Sequence, residues 1–309
     1  MMSRFVHYTE FGGPEVLQVI DVPEPVAGPG EIRIRTAYAA INPVDYKIFA
    51  GGPAAAAFGA VLPSGVGNDL SGIVDQVGEG VTDFSVGQKV YAGARNRAVA
   101  DCVVVPSEFA RAVPEGLGLD LASGLWVVGR TATALVNALN LTADDTVLVG
   151  AAAGGVGVLA VQLARRTGAT VMGTASEANH DYLRSLGAIP VSYGEGVIDQ
   201  VRAVAPQGIT AVIDANGPDT IELALALGVS PERIVSAATY GNALRGARAV
   251  GGAQANNADL VDLAQLVAEG EIQLPIDSRY PLAEVREAYA HAKGGHLRGK
   301  ILIELDSDL

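Results

Sequence analysis

The 309-residue chain lacks paired cysteines, an excess of positive charge and long apolar runs. Its single cysteine, Cys102, excludes an internal disulfide and a zinc site made of several cysteines. Lysine and arginine number 21 against 34 aspartates and glutamates, for a net charge of −13. Because the acidic residues are spread along the chain, we expect neither a nucleic-acid partner nor an anionic membrane partner.

No apolar run reaches the roughly 20 residues that span a bilayer, and MMSRFVHYTEFGG has no signal-peptide core. We therefore expect a soluble cytoplasmic protein. The four histidines lack metal-ligand spacing, so we expect surface or loop positions for three of them and a phosphate contact only for His180. Cys102 stands in an apolar strand pattern, which favours an inert buried thiol over a reactive nucleophile.

The length favours two domains. Up to about residue 110, short strands are separated by glycine, proline and acidic turns. In EIRIRTAYAAI, Ile32 and Ile34 alternate with Arg33 and Arg35, which predicts a half-buried strand. Beyond Leu119 the pattern becomes helical in LASGLWVVGRTATALVNALNL.

Alternating strand and helix patterns then predict a doubly wound parallel sheet. The predicted strands are Thr146–Gly150, Ala169–Thr174, Ile189–Tyr193, Ala211–Ala215 and Arg233–Thr239. After about Asp259 come two helical patterns, an extended piece and a last strand, GKILIEL, which can return to the first domain.

The run VLVGAAAGGVGVLAVQLARRTGATVMGTAS predicts strand, glycine turn, helix and strand. Ala152, Gly154 and Gly157 take the three small-residue places of a dinucleotide-binding turn, and Gly168 is the expected helix C-cap. Backbone N–H groups at Gly155 and Val156 would face a diphosphate at the helix N-terminus.

The end of the second strand favours NADP over NAD. A carboxylate there would bind both ribose hydroxyls of NAD and repel a 2′-phosphate. This chain has Gly173, Thr174, Ala175 and Ser176 instead. Nearby donors are Ser176, Asn179, His180 and Tyr193, whereas Glu177, three residues past Thr174, is the argument for NAD.

Four segments in this order resemble the medium-chain dehydrogenase/reductase superfamily, in its zinc-free NADPH:quinone oxidoreductase branch, which includes zeta-crystallin. They are FGGPEVLQVIDVPEPVAGPGEIRIRTAYAAINPVDYKI, GNDLSGIVDQVGEGVTDFSVGQKVYAG, AAAGGVG and SRYPLAEVREAYAHAKGGHLRGKILIEL. The resemblance implies a GroES-like domain of residues 1–122 and 260–309, a Rossmann domain of residues 123–259, a cleft between them and a homodimer.

The resemblance also implies site residues. Asn42 and Tyr46, in INPVDY, match positions at the nicotinamide and substrate end of the cleft. The lysine often found at the 2′-phosphate is missing. The expected NADP(H)-binding residues are Asn42, Thr131, Ala153, Gly154, Gly155, Val156, Gly157, Thr174, Ser176, His180, Tyr193 and Asn216.

Zinc-dependent members of the superfamily bind catalytic zinc through cysteine and histidine near the positions of Asn42 and Asn68. Two asparagines cannot replace a thiolate and an imidazole, so we expect no metal. Two segments depart from the branch. RNRAVADCVVV replaces a glycine-tyrosine-alanine-glutamate run, and Thr239–Asn257 lacks the bulky residues that often close over the nicotinamide.

Two alternative sites are weaker. Tyr289 and Lys293 have the spacing of a short-chain dehydrogenase pair, but they stand near the C-terminus, which predicts an exposed helix face. Asp45 can be a carboxylate beside the cleft or a turn and capping residue after Pro43.

Together with the cofactor loop, the resemblance implies an NADPH-dependent, zinc-independent reductase of a quinone or similar conjugated carbonyl, with Tyr46 or Asn42 donating to the carbonyl oxygen. The nearest alternative keeps the cofactor but reduces an enal, enone or enoyl thioester. A second alternative is a non-enzymatic NADPH-binding protein with a structural or sensory role.

Overall fold

The computed structural model of the chain describes residues 1–239 and 241–309. The predicted α/β class, with a β-rich first part followed by a doubly wound parallel sheet, is confirmed. Tyr240, in the predicted glycine- and alanine-rich segment, lies outside the described residues.

The first part of the chain is mostly strand. Its elements are β1 (Met2–Tyr8), β2 (Gln18–Pro23), β3 (Glu31–Ala40), α1 (Pro43–Phe49), α2 (Gly52–Ala57), β4 (Ser64–Gly65), β5 (Asp69–Val77), β6 (Lys89–Gly93), β7 (Cys102–Pro106) and β8 (Ala110–Ala112). Ile32 and Ile34 of β3 are fully buried, while Arg33 pairs with Asp75 at the surface of the sheet. The predicted half-buried strand is therefore confirmed.

The middle of the chain forms a second, parallel sheet. Its elements and the two helices before it are α3 (Leu119–Ser123), α4 (Leu125–Leu139), β9 (Thr146–Val149), α5 (Gly155–Arg166), β10 (Thr170–Ala175), α6 (His180–Ser185), β11 (Ile189–Ser192), α7 (Val197–Val204), β12 (Ala211–Asp214), α8 (Pro218–Ala226), β13 (Ile234–Ser236) and β14 (Arg248–Ala249). The strand order is β11-β10-β9-β12-β13-β14, with every pairing parallel. This is the order of a doubly wound dinucleotide-binding sheet.

The last part of the chain returns to the first sheet. Its elements are α9 (Asn257–Ala268), β15 (Ile276–Pro281), α10 (Val285–Gly294) and β16 (Lys300–Glu304). Strand β16 pairs antiparallel with β3 and parallel with β15. Helix α9 packs instead on α4, and its buried Leu260 and Leu263 join the core of the parallel-sheet half.

Two expectations for individual side chains are corrected. Tyr289 was predicted on an exposed helix face, but it is fully buried in α10 between Phe49 and Asp45, because this face of α10 packs on α1. Cys102 was predicted to be buried, but it is half-exposed in β7. Burial and the nearby Asp75 carboxylate raise the pKa of its thiol.

Within the described part of the chain, no helix has the length and apolar character needed to cross a membrane.

Candidate functional site

The glycine turn after β9 is held in place by backbone contacts with β10. Ala151 adopts φ +52° and donates its N–H to Thr174 Oγ1 at 3.2 Å, and Ala152 N–H donates to the Thr174 carbonyl at 3.0 Å. A Cβ on Gly157 would overlap the Ala151 carbonyl oxygen, so only glycine lets α5 start so close to β9. The turn therefore places the N-terminus of α5 directly after β9, and the backbone N–H groups of such a terminus suit a diphosphate.

Most of the other predicted cofactor residues lie at the same edge of the parallel sheet. Ser176 follows β10, Tyr193 follows β11 and exposed Asn216 follows β12. The carboxyl ends of parallel strands meet at one edge, where the strand order reverses between β9 and β12. Thr131 lies apart from them on α4, donating to the Val127 carbonyl at 2.7 Å.

A polar corner that contains both Arg298 and Asp277 closes the end of β10. Arg298 Nε donates to Asn179 Oδ1 at 2.9 Å, and Asn179 Nδ2 donates to Ser176 Oγ at 3.3 Å. The Arg298 guanidinium stacks on the Tyr182 ring, 4.9 Å from its centroid. Tyr193 Oη lies 3.0 Å from His296 Nδ1, so the C-terminal segment meets the loop after β11 here.

This corner contains open volume. A cavity of about 340 Å³ is lined in part by Asn179, His296 and Arg298. Among the described residues, the exposed Glu177 makes no hydrogen bond or salt bridge to Asn179, His296 or Arg298. His180 is not among the residues that line this cavity, and its Nε2 lies 3.5 Å from Ser192 Oγ.

A buried polar cluster lies between α1, β5 and β16. Asn42 is 1% exposed and caps α1, where its backbone N–H donates to Asp45 Oδ2 at 2.8 Å. Its Nδ2 donates to Asp69 Oδ2 at 2.9 Å and to the Ala40 carbonyl at 3.3 Å. Both amide hydrogens of Asn42 are thus engaged within the protein.

Lys300 completes this cluster from the far end of the chain. Its Nζ donates to Asn42 Oδ1 at 2.7 Å and to the Ile41 carbonyl at 2.8 Å, and it lies 3.5 Å from Asp69 Oδ2. A Cβ on Gly155 would lie 3.0 Å from the Lys300 side chain. The methylene chain of Lys300 therefore packs against the glycine turn, while its ammonium lies in the cluster.

Asp45 and Asp69 join further elements to the cluster. Asp69 Oδ1 accepts from the Val127 N–H in the first turn of α4 at 2.9 Å, a position where the helix dipole favours a carboxylate. Asp45 accepts from Asn68 Nδ2 at 2.5 Å and from Tyr289 Oη at 3.3 Å. Asp45 thus has the predicted capping role and also links α10 to α1.

Burial shifts the pKa values of these groups. It raises the pKa of Asp45 from 3.8 to about 7, against the opposing effect of hydrogen bonds from Asn42 and Asn68. It also raises the pKa of Asp69 and lowers the pKa of Lys300, and the attraction between these two charges opposes both shifts. Burial, followed by the Asp45 charge, raises the pKa of half-buried Tyr46, so its phenol keeps its proton at neutral pH.

The cluster does not fit zinc. Asn42 and Asn68 offer neither a thiolate nor an imidazole, and the Lys300 ammonium already lies against Asn42 and Asp69. A second cation in this place would meet direct repulsion. Across residues 1–239 and 241–309, no group of three or more His, Cys, Asp or Glu side chains is arranged to hold a metal ion.

Sequence reasoning missed Lys300, Arg298 and the contact of His296 with Tyr193. All three come from HLRGK, just before the last strand. A usable signal was present, because a lysine that opens the buried strand KILIE must find a polar partner inside the protein. Nothing in the local pattern, however, identifies that partner.

Comparisons with known proteins agree with this geometry. The family model described as "Alcohol dehydrogenase GroES-like domain" matches residues 28–143, and the one described as "Zinc-binding dehydrogenase" matches residues 186–303. A 2-haloacrylate reductase from Burkholderia is 34% identical over 73% of this chain and 69% of its own length.

Solved structures with a similar fold cover nearly the whole chain. The quinone oxidoreductase of Coxiella burnetii is 31% identical with a TM-score of 0.90, over 99% of this chain and 100% of that one. Mycobacterial Rv1454c, solved as a complex with NADPH, is 26% identical with a TM-score of 0.86, over 99% of this chain and 100% of that one.

The GroES-like sheet, the parallel sheet and the glycine turn between them define an oxidoreductase of the two-domain dehydrogenase class. The chain belongs to the medium-chain dehydrogenase/reductase superfamily, in its quinone oxidoreductase branch.

Proposed function

We propose that this protein is a zinc-independent, NADPH-dependent reductase that delivers hydride to a quinone or a similar conjugated carbonyl. The observation that carries the proposal is the contact between the glycine turn and the buried cluster, made by Lys300 against Gly155 and Asn42. This contact links the glycine turn, which would hold the diphosphate, to Asn42 at the start of α1, the helix that carries Tyr46.

The corner at β10 supports NADPH over NADH. The strand ends without a carboxylate, while Ser176, Tyr193 and His296 offer donors. The lysine that often binds the 2′-phosphate in this branch is missing, and Arg298 takes its place as the cation of the corner. A guanidinium suits a phosphate. The NADPH complex of mycobacterial Rv1454c is consistent with this preference.

Tyr46 and Asn42 have different roles in this proposal. When bound, the nicotinamide supplies a hydride to the acceptor. The protonated Tyr46 phenol donates a hydrogen bond to the acceptor oxygen as negative charge develops there. Asn42 is a positioning residue, because its amide hydrogens are held by Asp69 and Ala40. Solvent supplies the proton.

The acceptor class can be tested directly. We expect loss of NADPH absorbance with quinones. The alternative function, reduction of a conjugated double bond, predicts turnover only with enals, enones or enoyl thioesters. The name of the Burkholderia relative, a 2-haloacrylate reductase, favours including conjugated acids in the panel. Tight NADPH binding without oxidation by any acceptor would instead support a non-enzymatic role.

The cofactor preference has its own test. Arg298→Gln should raise the Kd for NADPH about tenfold or more, and the Kd for NADH should change less than twofold, because only NADPH carries the 2′-phosphate. Cofactor fluorescence measures both constants without turnover. Arg202→Gln on α7 is the matched control. Equal losses for both cofactors would contradict the assignment of Arg298.

The homodimer, the cytoplasmic location and the domain boundaries given above stay predictions. Sedimentation of the full chain tests the first of them.

A further inference from the structure

A carboxylate reaches the corner after β10 from the other sheet of the molecule. Strand β10 itself ends at Ala175 without an acidic residue. Asp277, in β15, lines the cavity of about 340 Å³ together with Arg298 and Asn179. The acidic group that is missing from the end of β10 is thus supplied by a later strand of the chain.

A bulge in β15 directs the Asp277 side chain. Its neighbours Ile276 and Ser278 pair with two consecutive residues of β16, so Asp277 is an extra residue between paired positions. Such a bulge takes a side chain out of the regular alternation of a strand. Asp277 Oδ1 accepts from the Arg298 N–H at 3.0 Å, and Oδ2 accepts from Ser278 Oγ at 3.2 Å. The carboxylate is therefore fixed beside the backbone of Arg298.

Asp277 and Arg298 have opposite charges, but their side chains do not form an ion pair. The Arg298 guanidinium donates to Asn179 and stacks on Tyr182. In the part of the chain that the structure describes, no Lys or Arg side-chain nitrogen lies within 4 Å of the Asp277 carboxylate. His291 Nε2 lies 3.9 Å from Asp277 Oδ2 and is charged only when protonated. A cation and an anion thus line one cavity as separate groups.

The Asp277 carboxylate has room for a further hydrogen-bond donor. An ionised carboxylate offers about four acceptor positions, and the Arg298 N–H and Ser278 hydroxyl use two of them. The side chain is 21% exposed. A hydroxyl that enters the cavity can therefore donate to Asp277, whereas a phosphate in the same place meets a like charge.

We propose that Asp277 sets the cofactor specificity of this protein, so that it binds NADH as well as NADPH. In dinucleotide-binding sites an acidic residue accepts a hydrogen bond from the ribose 2′-hydroxyl, and Asp277 offers this contact to NADH. The same carboxylate repels the 2′-phosphate of NADPH, which Arg298 attracts. This inference rests on the NADPH-binding part of the proposed function.

The test measures the Kd for each cofactor by calorimetry, without turnover. Asp277→Asn removes the charge and keeps the size of the side chain. It should lower the Kd for NADPH and raise the Kd for NADH, each about threefold, a size typical of interactions between partly exposed charges. Asp262→Asn is the matched control, because this exposed residue lies on α9, which packs on α4. It should change neither constant.

Two fragments without nicotinamide locate the effect at the 2′ position. The first, 2′,5′-ADP, carries a 2′-phosphate, and the second, 5′-AMP, carries a 2′-hydroxyl. Asp277→Asn should bind the first more tightly and the second more weakly than the wild type does. Its Tm should stay near the wild-type value, since Asn still accepts from the Arg298 N–H. Asp277→Ser, a second neutral variant, should shift the binding of 2′,5′-ADP in the same direction.

The remaining outcomes separate this inference from the proposed function. Equal changes for the two cofactors, no change for either, or no binding of NADH to the wild type would overturn the assignment of Asp277. If Arg298→Gln weakens NADPH binding as expected but Asp277→Asn has no effect, only this inference fails. A wild type that binds both cofactors and reduces no acceptor would refute the reductase function and leave the role of Asp277 intact.

Discussion

At the scale of single residues, Asn42 and Tyr46 differ in whether their hydrogen-bond donors are already used within the protein. Asn42 uses its amide hydrogens inside the protein, whereas no hydrogen bond from the Tyr46 hydroxyl occurs among the described residues. A hydrogen bond to a developing charge contributes roughly 1.5–3 kcal/mol. In the proposed mechanism, the chemistry of the site therefore depends on the Tyr46 phenol and on the groups that position its helix.

Tyr46→Phe should lower kcat for a quinone about tenfold to a hundredfold, since it removes the only hydroxyl that α1 offers to the acceptor oxygen. The Kd for NADPH should stay the same. Steady-state kinetics with saturating NADPH provides the measurement, and Tyr280→Phe on β15 provides the control. An unchanged kcat would remove Tyr46 from the mechanism.

Asp45 makes stability depend on pH in an unusual direction. Burial raises the pKa of its carboxyl from 3.8 in the unfolded chain to about 7 in the folded protein. The folded state therefore binds a proton that the unfolded state releases between these values. This contribution to the free energy of unfolding is fully present below about pH 4, falls as the pH rises and is lost above about pH 7.

The Tm of the wild type minus that of Asp45→Asn should therefore decrease from pH 5 to pH 7.5. Differential scanning fluorimetry across this range provides the measurement. Asp181→Asn, at an exposed carboxyl of α6, should give a difference that varies less with pH. A difference that rises with pH would mean that Asp45 is stabilised as the anion.

At the scale of elements, local patterns predicted five of the six strands of the parallel sheet to within three residues at each end. The short edge strand β14 was not predicted. Glycine, β-branched residues and helical periodicity determine local structure over a few neighbouring positions, so a single sequence is enough to locate these elements. The burial of Tyr289 was not predicted because it depends on α10 packing against α1, about 240 residues earlier. Lys300 was missed for the same reason.

Gly157→Ala should weaken NADPH binding about tenfold or more and lower the Tm, because the added methyl group would overlap the Ala151 carbonyl and force the turn and α5 apart. Fluorescence titration and thermal denaturation measure the two effects. Gly294→Ala, at the end of α10, meets open space and should be neutral or slightly stabilising. Equal behaviour of the two variants would show that close approach at the turn is unimportant.

At the scale of the whole molecule, a buried cluster of polar side chains joins the first sheet to α4, and Lys300 supplies the positive charge within it. Asn42, Asp69 and Lys300 connect α1, β5 and β16, while Asp69 also holds the start of α4. A buried ammonium surrounded by three acceptors needs no ion to be stable.

Treatment with EDTA or dipicolinate followed by dialysis should therefore leave kcat and Tm unchanged, and plasma mass spectrometry should find no stoichiometric zinc. Lys300 already supplies the positive charge among these side chains. Added zinc should not increase activity. One zinc ion per chain, lost together with activity, would contradict this prediction.

The triplet Arg298, Gly299 and Lys300 couples three parts of the molecule. Arg298 reaches the corner after β10, Gly299 N–H donates to the Ala153 carbonyl of the glycine turn at 2.9 Å, and Lys300 enters the cluster around Asn42. Three neighbouring residues near the end of the chain thus complete three parts of the site. Because these residues are consecutive, a movement of this one segment would disturb the corner, the glycine turn and the cluster at the same time.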